Sequence, residues 1–236
     1  MIKIYHSANS RGFADHGWLQ ARHSFSFADY YDPERVHFGR LRVLNDDIVA
    51  PGKGFGTHPH DNMEIITIPL KGSLEHKDSM GNGSVITAGE VQVMSAGSGI
   101  MHSEFNPSPT EEVNLLQIWI FPDQKDVKPR YDQRRFDPDT FMNTIKTIVN
   151  NSEQDDSLFI HQQAVLSLGR LTAGHKTSYK VHYPGNGVYI FLIDGKIEVD
   201  GTTLLRRDGL GVERASEIPV TVQEDAFALF LEVPMR

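Results

Sequence analysis

Two histidine-rich segments organise this chain: Gly54-Phe-Gly-Thr-His58-Pro-His60-Asp-Asn-Met-Glu64 and Gly99-Ile-Met-His102-Ser-Glu104. In a β-strand, side chains two positions apart point to the same face. His58 and His60 can therefore approach one ion together, and so can His102 and Glu104. Glu64 keeps the same even spacing if its strand stays regular. The pairs predict two strands that hold one metal ion between them.

The predicted ligands are three imidazoles and a carboxylate, a mixed nitrogen and oxygen set without thiolate. Such a set suits iron, nickel, copper, manganese or zinc, so the ligand types alone do not name the ion. A single histidine is more often an ordinary surface or core residue than a ligand. Two paired spacings, each inside a glycine-rich strand pattern, are much less easily accidental. The chain has no cysteine, which excludes disulfides and thiolate sites.

The composition is that of an ordinary globular chain. It has 236 residues, 39% of them hydrophobic and 23% charged, with a net charge of −8. That length allows one large domain or two of roughly 100 to 150 residues. The negative charge disfavours direct binding to nucleic acid or an anionic membrane. There is no leader-like start, and the apolar runs are too short to span a bilayer. We therefore expect a cytoplasmic protein, a monomer, with no nucleic acid or membrane partner.

The hydrophobic pattern predicts an all-β fold. Short apolar runs are separated by turn signals such as Gly81-Asn82-Gly83, a spacing typical of a sandwich or barrel of the jelly-roll kind. Residues 122–144 are polar and contain three prolines, which indicates a linker, and residues 140–150 fit a helical turn or a strand equally well. His76 and Asp78 lie in a charged segment that we interpret as the solvent-facing end of a hairpin, outside the metal site.

The second half repeats the first. Asp194-Gly195-Lys-Ile-Glu-Val matches Lys71-Gly72-Ser-Leu-Glu-His, with the two glycines 123 residues apart. In that register the positions of His58, His60 and Glu64 are taken by Val181, Tyr183 and Gly187. We therefore predict a metal-binding domain at residues 1–135 and a degenerate barrel without metal at residues 136–236.

The motifs carry a family resemblance. Gly52, His58-Pro-His60, Glu64 and Gly72 resemble the first cupin motif. The second motif is altered, with Ser95 in place of proline and two extra residues before His102. These departures, with His16-Gly-Trp-Leu and His23-Ser-Phe-Ser-Phe, are similar to the pirin family, in particular its bacterial pirin-like quercetinase branch.

The resemblance implies a bicupin, two jelly-roll barrels in tandem, with one divalent transition metal in the first. Iron(II) is favoured, and nickel, copper, manganese or zinc are the alternatives. The implied metal ligands are His58, His60, His102 and Glu104, which leaves Glu64 outside the coordination sphere.

The implied reaction is cleavage of a flavonol such as quercetin by O₂, with release of carbon monoxide. Either Glu104 or Glu64 would act as the catalytic base. The substrate would be a small aromatic phenol, and apolar residues near the site are candidates for its pocket: Phe55, Met63, Met94 and Ile100.

Two other functions stay open at the level of sequence. Resemblance to eukaryotic pirins implies a non-enzymatic, metal-loaded protein whose redox state alters its binding to a protein partner. A sugar isomerase or similar non-oxidative cupin would need only the metal. Four protein ligands on tetrahedral zinc would leave no open position, so an enzyme needs a metal with five or six ligands.

Overall fold

A computed structural model of the chain describes residues 1–152 and 156–236. The strands of the first half are β1 (Ile2–His6), β2 (Gly12–Asp15), β3 (Leu19–His23), β4 (Leu41–Val49), β5 (Gly54–His60), β6 (Glu64–Lys71), β7 (Ser73–Asp78), β8 (Gly83–Thr87), β9 (Glu90–Ser95), β10 (Ile100–Phe105), β11 (Val113–Ile120) and β12 (Arg130–Arg135). Those of the second half are β13 (Ile145–Asn150), β14 (Leu158–Phe159), β15 (Val165–Leu171), β16 (Lys176–Lys180), β17 (Asn186–Val199), β18 (Thr202–Leu205), β19 (Gly209–Glu213) and β20 (Glu217–Pro234). Two short 3₁₀ helices cover Ala8–Ser10 and Pro138–Phe141. The all-β prediction is confirmed.

The two halves have the same layout, as the internal repeat predicts. The first half has a large sheet in the order β12-β9-β6-β11-β4-β3-β2 and a small sheet in the order β5-β10-β7-β8. The second half has the order β1-β19-β17-β20-β15-β13-β14, with β16 beside β20 and β18 beside β17. Two long strands, β17 and β20, run through both layers there. This is the tandem bicupin arrangement.

The glycines that set the repeat register have a structural reason. Gly72 and Gly195 both have a left-handed backbone, with φ of +75° and +89°. A Cβ atom at Gly72 would lie 2.9 Å from the Glu112 carbonyl oxygen, and one at Gly195 would lie 2.0 Å from that of Asp225. Only glycine fits such a turn without strain. The sequence match therefore identifies the same tight turn in both barrels.

One edge strand, β1, crosses from the first half of the chain to the sheet of the second half. β12 lies at the edge of the first large sheet beside β9, while β1, from the N-terminus, lies at the corresponding edge of the second sheet beside β19. The predicted linker over residues 122–144 is therefore wrong in part, because Arg130–Arg135 is a strand. Residues 140–150 contain the end of a 3₁₀ helix followed by a strand, β13. We keep the division after residue 135 as a proposal, with β1 built into the second half.

The large sheets pack face to face and share one hydrophobic core. Ile66 and Ile118 of the first half lie in the same buried cluster as Leu168, Phe191 and Leu229 of the second. Full burial of one such side chain contributes about 1.5 to 3 kcal/mol to folding. Within the described ranges, no helix is long and apolar enough to cross a membrane.

Successive side chains of each strand face opposite sides of the first large sheet. On β6, Ile66 and Ile68 face the shared core, while Ile65 packs on Met94 inside the barrel. Thr67 also faces the barrel interior, where its hydroxyl contacts Glu104. This alternation decides which polar residues can reach the predicted metal site.

Candidate metal centre

Three histidines converge at the small sheet of the first barrel. β5 and β10 are antiparallel neighbours, with His102 opposite His58 and Ile100 opposite His60. The ring centroids of the three histidines are 4.4 to 4.9 Å apart. One ring nitrogen from each lies within 4.8 Å of those from the other two. The structure thus brings these predicted ligands together.

The imidazoles are held in a form that fits a metal ion. The Nδ1 atom of His58 lies 2.8 Å from the Gly56 carbonyl oxygen, to which it donates, so Nε2 carries the free lone pair. Both ring nitrogens of His102 are buried and have no hydrogen-bond partner in the described part of the chain. Burial lowers the pKa of His60 to about 4 and that of His102 to about 3. Neutral, unpaired imidazoles are the state that binds a divalent cation.

Glu104 projects from β10 on the same side as His102. Its carboxylate accepts a hydrogen bond from Nε2 of Gln117 at 3.0 Å and a longer one from the Thr67 hydroxyl at 3.5 Å. Complete burial raises the pKa of Glu104 to about 7. One of its oxygens lies within 4.8 Å of a ring nitrogen of His102 and one of His76. We carry the four-ligand set of His58, His60, His102 and Glu104 forward as a proposal.

Glu64 does not face the three imidazoles, which corrects its assignment as a catalytic base. Its carboxylate accepts a hydrogen bond from the Ser95 hydroxyl at 2.7 Å, and it points toward the second half on the same side of β6 as Ile66. The even spacing from His60 fails because the chain turns between them, where Asn62 has a φ of +43°. β5 belongs to the small sheet and β6 to the large one. Burial raises the pKa of Glu64 to about 7.

The prediction that His76 and Asp78 face solvent is wrong. Both side chains have 0% exposure, and Nε2 of His76 lies 3.2 Å from the Asp78 carboxylate. His76 lies on β7, which pairs with β10 so that His76 is opposite Glu104. The even spacing of Leu74 and His76 along β7, with Leu74 apolar, was the signal for an inward-facing histidine.

Asp47 is another buried carboxyl, and sequence reasoning missed it. It lies on β4, and burial, with Asp46 and Glu104 nearby, raises its pKa to about 8. Its Oδ1 atom has no hydrogen-bond partner among residues 1–152 and 156–236. Its signal was an acidic pair, Asp46-Asp47, inside an apolar strand, because carboxyls are seldom fully buried unless they are paired.

A cavity of about 510 Å³ is lined by residues of β2, β3 and β5 and by aromatic rings that include Trp18, Phe27 and Phe55. Phe27 packs edge-on against Trp119 at 5.3 Å, and Trp119 packs edge-on against His60 at 4.9 Å. The cavity wall is thus connected to a predicted ligand through one ring. Of the other predicted pocket residues, Met94 and Ile100 are buried in the barrel core with Met63 packed against them.

Comparison with known proteins assigns the chain to a family. The Pirin family matches residues 5–120, and the Quercetinase C-terminal cupin domain matches residues 147–233. A quercetin 2,3-dioxygenase of Escherichia coli (strain K12) is 42% identical over 227 residues, which are 96% of each chain. The chain belongs to the pirin family. A pirin-like protein of Caulobacter vibrioides is 43% identical over 216 residues, which are 91% of this chain and 92% of the relative.

Solved structures agree with this assignment. The bacterial pirin YhhW from Escherichia coli, in complex with nickel(II), superimposes with a TM-score of 0.94 and 40% identity over 99% of both chains. The prediction of a quercetin 2,3-dioxygenase-like enzyme with a bicupin fold is confirmed. With the histidine cluster, these relatives support a cupin dioxygenase that uses a divalent metal.

Proposed function

We propose that this pirin cleaves the heterocyclic ring of flavonols such as quercetin with O₂ and releases carbon monoxide. The observation that carries the proposal is an aromatic cavity whose Phe27 ring packs on Trp119, which in turn packs on His60, one of the three converging imidazoles. Planar rings of the size of a flavonol fit a cavity walled by aromatic side chains. Iron(II) is the metal we favour. The proposed partners are a small phenol and O₂, and monomeric state, cytoplasmic location and absence of nucleic acid binding remain predictions.

His58, His60, His102 and Glu104 would hold the metal in this proposal. When bound, the ion would supply Lewis-acid polarisation of the flavonol 3-hydroxyl and the redox chemistry that O₂ requires. Both atoms of O₂ enter the products, which are the ring-opened phenolic ester and carbon monoxide, so no further oxidant is needed.

Glu104 is the residue we assign to the proton of the 3-hydroxyl. Coordination would lower the pKa of the flavonol 3-hydroxyl, so a carboxylate, although a weak base, suffices to take its proton. Gln117 donates to Oε2, which leaves Oε1, contacted only distantly by Thr67, for the incoming proton. Trp18, Phe27 and Phe55 would hold the flat substrate and exclude water.

The test is turnover by defined metal forms. Protein prepared without metal is loaded anaerobically with iron(II), nickel, copper or manganese, and its metal content is measured. We expect at least the iron(II) form to consume quercetin and O₂ and to release carbon monoxide in equal amounts. A flavone that lacks the 3-hydroxyl is the matched control and should stay intact. If every form holds a full equivalent of metal and none consumes quercetin, the non-enzymatic, redox-responsive function replaces this one.

A further inference from the structure

His76 is a buried histidine that is not one of the four proposed metal ligands. Its Nε2 atom lies 3.2 Å from Oδ2 of Asp78, and its ring stacks on Tyr131 with centroids 4.6 Å apart. Asp78 in turn accepts hydrogen bonds from the Asn82 side chain at 2.8 Å and from the backbone of Met80 and Asn82. Because the carboxylate can only accept, the proton of His76 lies on Nε2. The lone pair of Nδ1 is therefore fixed in direction.

His76 lies beside the metal centre, with one ring nitrogen within 4.8 Å of a ring nitrogen of His102 and of a Glu104 oxygen. Nδ1 of His76 is buried, and the described chain offers it no hydrogen-bond partner. The ring of His102 lies 5.3 Å from that of His76, between centroids. Two imidazoles joined by an N–H···N bond of about 3 Å have centroids roughly 5 Å apart. The buried Nδ1 of His102, which is also unpaired in the residues described, is a matching donor.

We propose that His76 is a positioning residue for His102, with Asp78 fixing its orientation, an inference that rests on the proposed metal centre. In the metal-loaded protein, Nδ1–H of His102 would donate to Nδ1 of His76, a bond that is not formed in this structure, and Nε2–H of His76 donates to Asp78. Nε2 of His102 is thereby turned to the ion as a stronger ligand. Metal-bound histidines commonly donate their second N–H to a carboxylate or carbonyl. Here an imidazole stands between the ligand and the carboxylate.

The experiment compares two substitutions at one position. His76→Phe keeps a ring on Tyr131 but removes the acceptor, while His76→Asn places an amide oxygen near the site of Nδ1. Nickel(II) affinity is measured by competition with a chelator. We expect His76→Phe to bind nickel about 10- to 100-fold more weakly and His76→Asn to recover most of that loss. Unchanged affinity in His76→Phe, or equal loss in both variants, would overturn the proposal.

Two further measurements separate positioning from other causes. In the copper(II)-loaded protein, electron paramagnetic resonance should show the same number of coordinated imidazole nitrogens in wild type and His76→Phe, with altered hyperfine couplings in the variant. One nitrogen fewer would make His76 a direct ligand and overturn the proposal. His6→Phe is the control, because His6 is a buried histidine bonded to Tyr189 in the other sheet. It should leave nickel affinity unchanged, and an equal loss there would also overturn the proposal.

These readouts do not depend on flavonol turnover. If the wild type fails to cleave quercetin and His76→Phe binds nickel more weakly, the proposed function is contradicted and the role of His76 is supported. If the wild type cleaves quercetin and His76→Phe binds nickel with unchanged affinity, the proposed function is supported and the role of His76 is contradicted.

Discussion

Glu64 and Glu104 are buried carboxyls with the same direction of pKa shift and different surroundings. Burial raises the pKa of each from 4.5 to about 7, but Glu104 faces the histidines and Glu64 faces the other half of the chain. Between pH 4.5 and 7 the unfolded chain has lost the Glu64 proton while the folded chain keeps it. The free energy of unfolding therefore falls as pH rises through this window, by about 3 kcal/mol for Glu64.

Glu64→Gln should remove that pH dependence, because the amide stays neutral. Urea unfolding of wild type and variant at about pH 4.5 and about pH 8 measures it, and the variant should gain stability relative to wild type at the higher pH, by up to about 3 kcal/mol. Glu64→Gln should keep its metal, whereas Glu104→Gln should lose it. A stability difference that is the same at both pH values would contradict the burial of an uncharged Glu64.

Residue spacing predicted part of the site well. His58 and His60 lie on one strand, and His102 and Glu104 lie on another. Side chains two positions apart on a strand face the same side, so the spacing predicted each pair correctly. It failed for Glu64 because the chain passes from one sheet to another after His60. The sequence could not place His76 inside the barrel, because that depends on which strand lies beside β10.

At the scale of elements, the edge strands decide how the halves hold together. β1 covers the edge of β19, where the Tyr5 hydroxyl donates to Asp208 at 2.7 Å and His6 contacts the Tyr189 hydroxyl at 3.0 Å. An uncovered strand edge exposes unpaired backbone groups. The first residues of the chain therefore stabilise its last sheet.

Removal of residues 1–6 should loosen β19 selectively. We expect backbone amides of Gly209–Glu213 to exchange with deuterium at least tenfold faster in the truncated protein, while amides of β9, covered by β12, serve as the internal control and keep their protection. Hydrogen exchange read by mass spectrometry resolves both strands. Equal acceleration in β9 and β19 would mean that the truncation acts on the whole molecule.

The hydrophobic pattern located most elements but not these edges. Apolar alternation predicted the inner strands, whose faces are buried. β12 is polar, with the sequence Arg130-Tyr-Asp-Gln-Arg-Arg135, because an edge strand needs only backbone pairing to one neighbour. Composition alone therefore favoured a linker there.

At the scale of the molecule, the two barrels satisfy their polar interiors in different ways. Glu232 of the second barrel is fully buried and accepts hydrogen bonds from the Tyr179 hydroxyl at 3.0 Å and from the backbone of His182 and Tyr183. Its side chain also lies 2.9 Å from Nδ1 of His182. These groups lie in the region that corresponds by repeat to His58 and His60. Protein donors there satisfy the carboxylate, so the second barrel needs no ion.

We therefore predict one tightly bound metal ion per chain, located in the first barrel. His60→Ala should remove most of the metal, because it deletes one of three converging nitrogens and leaves the other imidazoles without a complete site. His182→Ala is the matched control in the second barrel and should keep a full equivalent, since its ring serves Glu232. Metal content by elemental analysis after dialysis against a chelator measures both. Two equivalents of metal in the wild type would show that the second barrel also binds an ion. Retention of metal by His60→Ala would show that other residues hold it. Either result would contradict a single metal site built on His60 in the first barrel.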